Sequence, residues 1–235
     1  MNQSKKKTGK KCADGVNMSE GISKKTEKKN DHNEILPDLK KLLKDMEEIQ
    51  DGKRYIHTIG VAYTAAALAM RYDAPLKETQ IAGILHDCAK CMPDDKLMEY
   101  CRKNKIPVSS VEERNPYLLH GKVGARIAKK KYHIENDDII NAIQYHTTGR
   151  PGMSLMEKII FVADYMEPGR KQAKNLDQIR KMAFEDIEKT VLKILKDTLE
   201  YLEYCGGETD PMTRDTYLFY VKKQSNHSLL EESVC

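Results

Sequence analysis

Residues 84–90 read ILHDCAK, and the polar pair at their centre poses the first structural question. His86 and Asp87 stand side by side among mostly apolar neighbours. Burying an imidazole beside a carboxylate costs free energy unless hydrogen bonds or a metal ion satisfy both groups. The pair therefore predicts a buried polar site, and the partners of that site must come from elsewhere in the chain.

Helical spacing of apolar residues extends over almost every segment from Leu36 onward. Ser154 and Glu157 form a capping box before one helix, and the glycine pair at 206–207 ends another. Asp210 and Pro211 then begin a short terminal helix, and no segment shows a strand pattern. We expect an all-α single domain over 35–225 and a flexible C-terminus at 226–235. The apolar series that marks the helix within 54–72 is Ile56, Ile59, Tyr63, Ala66, Ala67 and Met70.

The basic excess of the chain lies in its first 30 residues. The net charge of the whole sequence is +4, but residues 1–30 carry +6 and the remainder carries −2. KKKTGKK and KKTEKK supply these lysines, and almost no apolar residue accompanies them, so residues 1–34 are predicted to be a disordered tail. A nucleic-acid arm is the alternative to a solvating tail or to sequence upstream of a start at Met18; we expect no nucleic-acid partner.

Several classes of protein are excluded by the sequence. No apolar run approaches the roughly 18 residues of a membrane span, and the N-terminus has no apolar core typical of a signal peptide. We therefore expect a cytoplasmic protein without a membrane partner. The six cysteines suggest no disulfide framework, and CAKC at 88–91 lacks the second pair of a zinc site. It is interpreted as a chance occurrence.

Six polar residues share the helical segments with apolar neighbours. A lone histidine on an apolar helix face is usually a hydrogen-bonded core residue. Several of them with two aspartates indicate a metal instead, and ligands of nitrogen and oxygen suit iron, manganese, cobalt or zinc. Six ligands exceed the four of a structural zinc site and suit two metals with open positions. The candidate ligands are His57, His86, Asp87, His120, His146 and Asp164.

Cationic and hydroxyl groups follow these ligands closely in the sequence. They are suited to binding phosphate oxygens, although each alone has an ordinary structural explanation. No P-loop and no Gly-x-Gly-x-x-Gly motif is present, so phosphates would be held by metal ions and side chains. The candidates for substrate binding are Lys90, Thr147, Thr148, Arg150 and Arg170.

Together these motifs resemble the HD-domain phosphohydrolases, whose pattern is His…His-Asp…Asp. RYIHTIGVAYTAAALA, AGILHDCAK, YLLHGKVGA and NAIQYHTTGRPGMSLMEKIIFVADYMEPGR resemble more closely the YqeK type, the bacterial symmetrical bis(5′-nucleosyl)-tetraphosphatases. The likeness spans about Leu39 to Tyr220 and excludes the first 35 residues. YHTTGRPGMSL and VADYMEP are its most specific segments.

The resemblance implies a single HD-domain helical bundle with a dinuclear iron centre, in which manganese or cobalt can substitute for iron. It implies hydrolysis of diadenosine tetraphosphate to two ADP by metal-bound hydroxide. His57, His86, Asp87 and Asp164 would hold one metal, and His120 and His146 would hold a second that Asp87 bridges. Asp87 and Lys90 would be catalytic, and Lys90, Arg150 and Arg170 would contact phosphates. A homodimer is also an expected assembly.

Other functions share these ligands. Another HD phosphohydrolase is one alternative: a nucleotidase, or a hydrolase of guanosine polyphosphates or cyclic dinucleotides. A non-catalytic nucleotide-binding sensor is the second, and turnover with Mn²⁺ or Fe²⁺ separates it from an enzyme. A di-iron bundle for oxygen chemistry is the third, but it needs Glu-x-x-His pairs, and none of the four histidines has a Glu three residues before it.

Overall fold

The computed structural model of the chain describes residues 36–171, 173 and 175–232, with side chains up to residue 226. The predicted tail at 1–34 lies outside the described residues. Within them, all regular secondary structure is helical, which confirms the predicted all-α class. The helices are α1 (Leu39–Ile49), α2 (Gly52–Arg71), α3 (Leu76–Leu85), α4 (Asp94–Asn104), α5 (Ser110–Arg114), α6 (His120–Lys131), α7 (Asp137–Gln144), α8 (Leu155–Met166), α9 (Leu176–Ala183), α10 (Ile187–Cys205) and α11 (Pro211–Glu232). A 3-10 turn spans Pro116–Leu119.

Side chains cap most of the helix starts that matter for the site. The Asp51 carboxylate accepts the N–H groups of the first turn of α2, and Asn136 does the same for α7. The predicted capping box of Ser154 and Glu157 begins α8. Such caps satisfy main-chain donors that the helix itself leaves unpaired. They fix where each helix starts and hence where its polar side chains lie.

The centre of the domain is formed by α2, α3, α7 and α8, which pack on one another. Around them α1 packs on α3, α6 on α7, and α10 on α8. Large buried side chains of the central helices, such as Leu68, Ile81 and Ile160, join in one apolar core. A smaller apolar cluster that includes Leu97 and Leu119 lies where α4 meets α6 and the 3-10 turn. The packed central helices therefore provide a rigid frame for the residues that they carry.

Three of the six residues in the apolar series that predicts α2 do not face the core. Ile56, Tyr63 and Met70 are 68%, 64% and 65% exposed. The buried side of α2 consists mainly of small residues, which let α3 approach closely: a Cβ on Gly83 would lie 3.0 Å from the Ala62 Cα. Periodicity identified the helix correctly, but small side chains decided which face is buried. An apolar face of α2 therefore remains exposed.

The last helix is longer than expected. Asp210 and Pro211 predict a short terminal helix, but α11 continues to Glu232 and so enters the segment 226–235 that the sequence predicts to be flexible. No Gly or Pro follows Pro211 to interrupt it. Residues 233–235 lie outside the described part of the chain, and the domain limits at 35 and 225 stay predictions.

Among the described residues, no helix combines the length and the apolar character needed to cross a membrane.

Candidate metal centre

Five segments of the chain bring the six predicted ligands to one place. His57 lies in the second turn of α2, and Asp164 lies in the last turn of α8. The other four are at helix ends: the 86–87 pair follows α3, His120 begins α6, and His146 follows α7. All are buried except Asp164, which is partly exposed. The structure thus brings together residues that are far apart in the sequence.

Two overlapping groups of donor atoms arise from this convergence. In the first, His57, His86 and Asp164 each offer an atom within 4.8 Å of the others, and in the second His86, Asp87 and His146 do so. The Oδ1 atom of Asp164 lies 3.0 Å from Nε2 of His57 and 3.8 Å from Nε2 of His86. Each group has the spacing of ligands around one ion.

Asp87 faces two pairs of histidines, each with a different carboxylate oxygen. Its Oδ1 atom lies 3.3 Å from Nε2 of His120 and 3.5 Å from Nε2 of His146. Its Oδ2 atom lies 3.4 Å from Nε2 of His86 and 3.8 Å from Nε2 of His57. A carboxylate in this position fits the bridging role that the resemblance implies.

Hydrogen bonds at Nδ1 determine which nitrogen of each imidazole is the free donor. A main-chain carbonyl oxygen only accepts, so a ring nitrogen bonded to it must carry hydrogen. The Nδ1 atoms of His86, His120 and His146 lie 2.7, 2.6 and 2.8 Å from carbonyl oxygens three residues earlier, and Nδ1 of His57 lies 3.0 Å from Oε1 of Glu167. All four Nε2 atoms therefore present lone pairs to the cluster.

These lone pairs need a cation or a hydrogen-bond donor among them. Nε2 of His57 and Nε2 of His86 are buried without a hydrogen-bond donor, and they face carboxylate oxygens that carry no hydrogen either. Unsatisfied buried acceptors of this kind are costly. Cations held among imidazole nitrogens and carboxylate oxygens satisfy all of them, and this donor set suits iron, manganese, cobalt or zinc. The residues therefore fit a pair of transition-metal ions.

The ionisation of the site favours metal binding. Burial opposes ionisation of Asp87 and Asp164, but the hydrogen bonds and positive charge around each carboxylate outweigh it and hold both pKa values below the usual range. At Asp164 the Arg170 guanidinium adds to this effect. Burial also lowers the pKa of His120, which favours the neutral imidazole. Anionic carboxylates and neutral imidazoles are the forms that bind metals.

The predicted phosphate-binding residues divide into two sets. Lys90 is partly buried, its pKa is lowered by that burial, and its Nζ lies 5.9 Å from the ring centre of Tyr117, next to the cluster. Arg170 contacts Asp164 directly, with Nη2 2.6 Å from Oδ1. By contrast, the hydroxyl of Thr148 donates to the Gly149 carbonyl. The structure gives no contact for Thr147 that bears on its predicted role.

Arg150 belongs to the second set. Its Nε and Nη2 atoms lie 2.6 and 2.8 Å from the carboxylate of Glu157, which is buried in the first turn of α8. The guanidinium fork is thus used by a protein carboxylate. Its predicted role in binding phosphate, and that of Thr148, stay predictions.

Sequence reasoning missed two residues of the site. Arg54 contacts Asp87, with Nη1 2.7 Å from Oδ2, and Glu167 contacts His57. Each lies three residues from a predicted ligand, Arg54 before His57 and Glu167 after Asp164. Because residues three apart share a helix face, this spacing was a usable signal for Arg54. Glu167 lies just past the end of α8, where helix spacing no longer predicts direction.

A cavity of about 560 Å³ adjoins the His57 side of the cluster. Four cationic residues line it, which suits a polyanionic ligand larger than a single phosphate. The two acidic residues of its wall, Asp51 and Glu167, are engaged by the start of α2 and by His57. The cationic residues are Lys53, Arg54, Arg170 and Lys171.

Comparison with known proteins agrees with this geometry. A family model described as HD domain matches residues 54–169. A symmetrical bis(5′-nucleosyl)-tetraphosphatase of Bacillus subtilis (strain 168) is 40% identical over 167 residues, which cover 71% of this chain and 87% of that protein. One of the same name from Staphylococcus aureus (strain NCTC 8325 / PS 47) is 39% identical over 152 residues, which cover 64% and 77%.

A solved structure has the same fold. It is a predicted HD superfamily hydrolase involved in NAD metabolism from Clostridium acetobutylicum, and it aligns with a TM-score of 0.77 at 39% identity. The alignment covers 80% of this chain and 99% of that one. Since these relatives match over most of their own length, the chain belongs to the HD-domain family of symmetrical bis(5′-nucleosyl)-tetraphosphatases.

Proposed function

We propose that this protein hydrolyses diadenosine tetraphosphate at its centre and releases two ADP. The observation that carries the proposal is the convergence of four imidazole lone pairs and two carboxylates beside a cationic cavity. The names of the related proteins from Bacillus subtilis and Staphylococcus aureus support this substrate and this mode of cleavage.

His57, His86, Asp87 and Asp164 would hold one metal ion, and His120 and His146 would hold a second together with Asp87. When bound, such ions polarise phosphoryl oxygens and lower the pKa of water so that hydroxide is available near neutral pH. The protein's part is to keep both carboxylates ionised and all four Nε2 atoms unprotonated. The hydrogen bonds at Nδ1 described above do the latter.

Cationic side chains then orient the substrate and offset its charge. Lys90 and Arg170 flank the cluster, and Arg54 lies between Asp87 and the cavity. Cations held in place before the reaction stabilise charge that grows on phosphoryl oxygens without reorganising. They would also hold a long polyphosphate so that an inner phosphorus, rather than an outer one, is placed for attack. ADP leaves as a stable anion, so the reaction does not demand a strong general acid.

Iron is the metal that we propose, with manganese or cobalt as functional substitutes. The nitrogen and oxygen donor set supports this choice, because thiolates are the ligands that favour softer metals. Elemental analysis of protein prepared without oxygen tests the metal: zinc alone in a fully active preparation would replace iron.

We also propose a cytoplasmic location. Free thiols, which support a reducing compartment, are carried by Cys88, Cys91, Cys101 and Cys205.

Product analysis tests the function. Purified protein is incubated with Fe²⁺ or Mn²⁺ and a panel of dinucleoside polyphosphates, mononucleotides, guanosine polyphosphates and cyclic dinucleotides, and early products are resolved by chromatography. We expect ADP as the product from diadenosine tetraphosphate. ATP with AMP, or faster turnover of another nucleotide class, would favour a different HD activity. Binding without turnover of any compound would indicate a sensor.

We also propose that the protein forms a homodimer through the exposed apolar face of α2. In an antiparallel pair centred on Tyr63, Ile56 faces the partner's Met70. The same arrangement brings Lys53, in the first turn of α2, to the same end as the partner's Asp73, which lies just past the end of α2; both residues are exposed. A parallel pair would instead oppose lysine to lysine. The Lys-rich segment 1–30 has too few apolar residues to cover this face, which favours a second copy.

Light scattering after size exclusion tests the dimer. Tyr63→Glu should shift the protein to monomer, because the charge would lie on the two-fold axis beside its own copy. Tyr201→Glu is a matched control on α10, where the tyrosine is 62% exposed. A dimer that survives Tyr63→Glu, or a monomeric wild type at high concentration, would refute this interface.

A further inference from the structure

We infer that Glu167 is a positioning residue of the metal centre, and that Gly60 and Gly169 exist as glycines to make room for its carboxylate. The inference rests on the metal-binding role proposed above for His57. Glu167 is only 4% exposed, and its Oε1 atom lies 3.0 Å from Nδ1 of His57. Its other oxygen, Oε2, accepts the main-chain N–H of Gly169. Both carboxylate oxygens are therefore used.

His57 needs such a partner because of where it lies. The other three histidines are at helix ends, where a carbonyl three residues earlier is free to accept from Nδ1. His57 is inside α2, where the carbonyl oxygens are engaged by main-chain N–H groups of the helix. A group from another segment must take the Nδ1 hydrogen. Glu167 does so and leaves Nε2 facing Asp164 as a lone pair.

Two glycines enclose the carboxylate. A Cβ on Gly60 would lie 2.5 Å from Oε2 of Glu167, and a Cβ on Gly169 would lie 2.9 Å from both oxygens. Gly60 is one turn after His57 within α2, where a glycine costs about 1 kcal/mol relative to alanine. The space that its missing side chain leaves is filled by the Glu167 carboxylate. Any side chain at 60 must therefore displace Glu167 or α2.

Hydrogen bonds from α9 hold the turn that carries Glu167 in place. Arg180 on α9 donates to the carbonyl oxygens of Met166, Glu167 and Arg170 at 3.0, 3.1 and 3.1 Å. The same turn supplies Arg170, whose guanidinium holds Asp164. One short segment, 166–170, thus supports two ligands of the first metal group, His57 through Glu167 and Asp164 through Arg170.

A carboxylate on a ligand histidine fixes its tautomer and orientation and increases its basicity, and losing such a partner costs about 10–100-fold in metal affinity or activity.

The sharpest test compares two Gly→Ala substitutions in one helix. Gly60→Ala should weaken binding of the first metal about 10–100-fold, measured by chelator competition. Gly52→Ala is the matched control, because a Cβ there meets nothing within 4 Å; it should leave metal affinity unchanged. Circular dichroism and melting temperature report whether each variant remains folded.

Two variants at Glu167 keep the inference testable if Gly60→Ala fails to fold. Glu167→Ala should reproduce the loss of metal affinity and lower kcat with little change in KM, because the phosphate contacts remain. Glu167→Gln should recover part of both, since its amide oxygen still accepts from Nδ1. In metal-free protein, nitrogen NMR of the His57 ring should show the hydrogen on Nδ1 in wild type and a mixture of tautomers in Glu167→Ala.

Unchanged metal affinity and an unchanged His57 tautomer in Glu167→Ala would overturn the inference. Both readouts are independent of the substrate. If the nucleotide panel disproves the proposed reaction while Glu167→Ala still weakens metal binding, the proposed function fails and this inference stands.

Discussion

The Nε2 atom of His120 lies 3.1 Å from the Nε2 atom of His146, although both Nδ1 atoms already carry hydrogen. Two lone pairs at this distance repel unless a cation interacts with both. Oδ1 of Asp87 faces the same space, at 3.3 and 3.5 Å. Backbone geometry at two helix ends thus fixes the tautomers, and the shared space between three acceptors is where the second ion would bind.

This geometry predicts that the two metals can be lost separately. Wild type should hold about two transition-metal ions per chain, as expected for two groups of ligands. His146→Ala should retain about one, because all four ligands assigned to the first ion remain: His57, His86, Asp87 and Asp164. Asp87→Ala should lose both, since Asp87 faces both groups. Elemental analysis after anaerobic preparation measures the content.

The control for this series is His133→Asn, which changes an exposed histidine outside the cluster. Asparagine tolerates the left-handed backbone of position 133, where φ is 55°. It should keep the wild-type metal content. Less than half an equivalent of every transition metal in the wild-type protein would disprove the centre itself.

How much of the site the sequence predicts depends on how far apart in the chain the interacting residues lie. His86 and His146 could be identified because each lies on an apolar helical face or at its end, where a polar residue is conspicuous. Glu167 could not, because its significance depends on the space beside Gly60, which is more than 100 residues away in the chain. The exposed face of α2 was obscured for a related reason. Tyr63 fits the apolar period, and only the close packing of Ala62 on Gly83 shows which side is buried.

Arg54 should matter more than its neighbour Lys53, although both line the cavity. The Arg54 guanidinium is held beside Asp87 at 2.7 Å, whereas the Lys53 side chain is exposed. We expect Arg54→Gln to lower kcat/KM by about 10²-fold, comparable to removing one fixed electrostatic donor. Lys53→Gln should have an effect only at low salt, because exposed charges are screened. Equal losses in the two variants would show that Arg54 acts only through net charge.

Glu188 should contribute stability that depends on pH. One of its oxygens, Oε1, accepts from Lys158 of α8 at 2.6 Å and from Lys223 of α11 at 2.7 Å. Burial opposes its ionisation, but the two ammonium groups outweigh it and lower its pKa from 4.5. Since the folded state binds this proton more weakly than the unfolded state, the stabilisation is complete above 4.5 and is lost as pH falls through the lowered value.

Glu188→Gln should therefore lower the melting temperature at neutral pH and make no difference in strong acid. The loss should be at most about 1 kcal/mol, because the carboxylate is partly exposed and screened by water. Glu200→Gln on the same helix is the matched control; its lysine partner is 3.8 Å away and both side chains are mostly exposed. A difference that persists unchanged in strong acid would contradict an ionic origin.

Arg150 should prove to be a structural residue rather than a phosphate contact. Its two hydrogen bonds to Glu157 use the fork that would bind a phosphate, and Glu157 is buried at the start of α8. Arg150→Ala should destabilise the protein by about 2 kcal/mol, below the 3–5 kcal/mol of a fully buried pair because Arg150 is partly exposed. Chemical denaturation at neutral pH measures this loss.

A second substitution separates the two roles of Arg150. Glu157→Gln removes the buried charge while keeping a side chain that can complete the capping box with Ser154. The double variant Arg150→Ala/Glu157→Gln should therefore recover part of the stability. If Arg150 is structural, kcat/KM of the double variant, measured well below its melting temperature, should lie within about threefold of the wild-type value. Removing a fixed electrostatic donor would instead lower kcat/KM by about 10²-fold. If kcat/KM of a stable double variant stays about 10²-fold below wild type, the result would instead support the phosphate contact that the sequence predicts for Arg150.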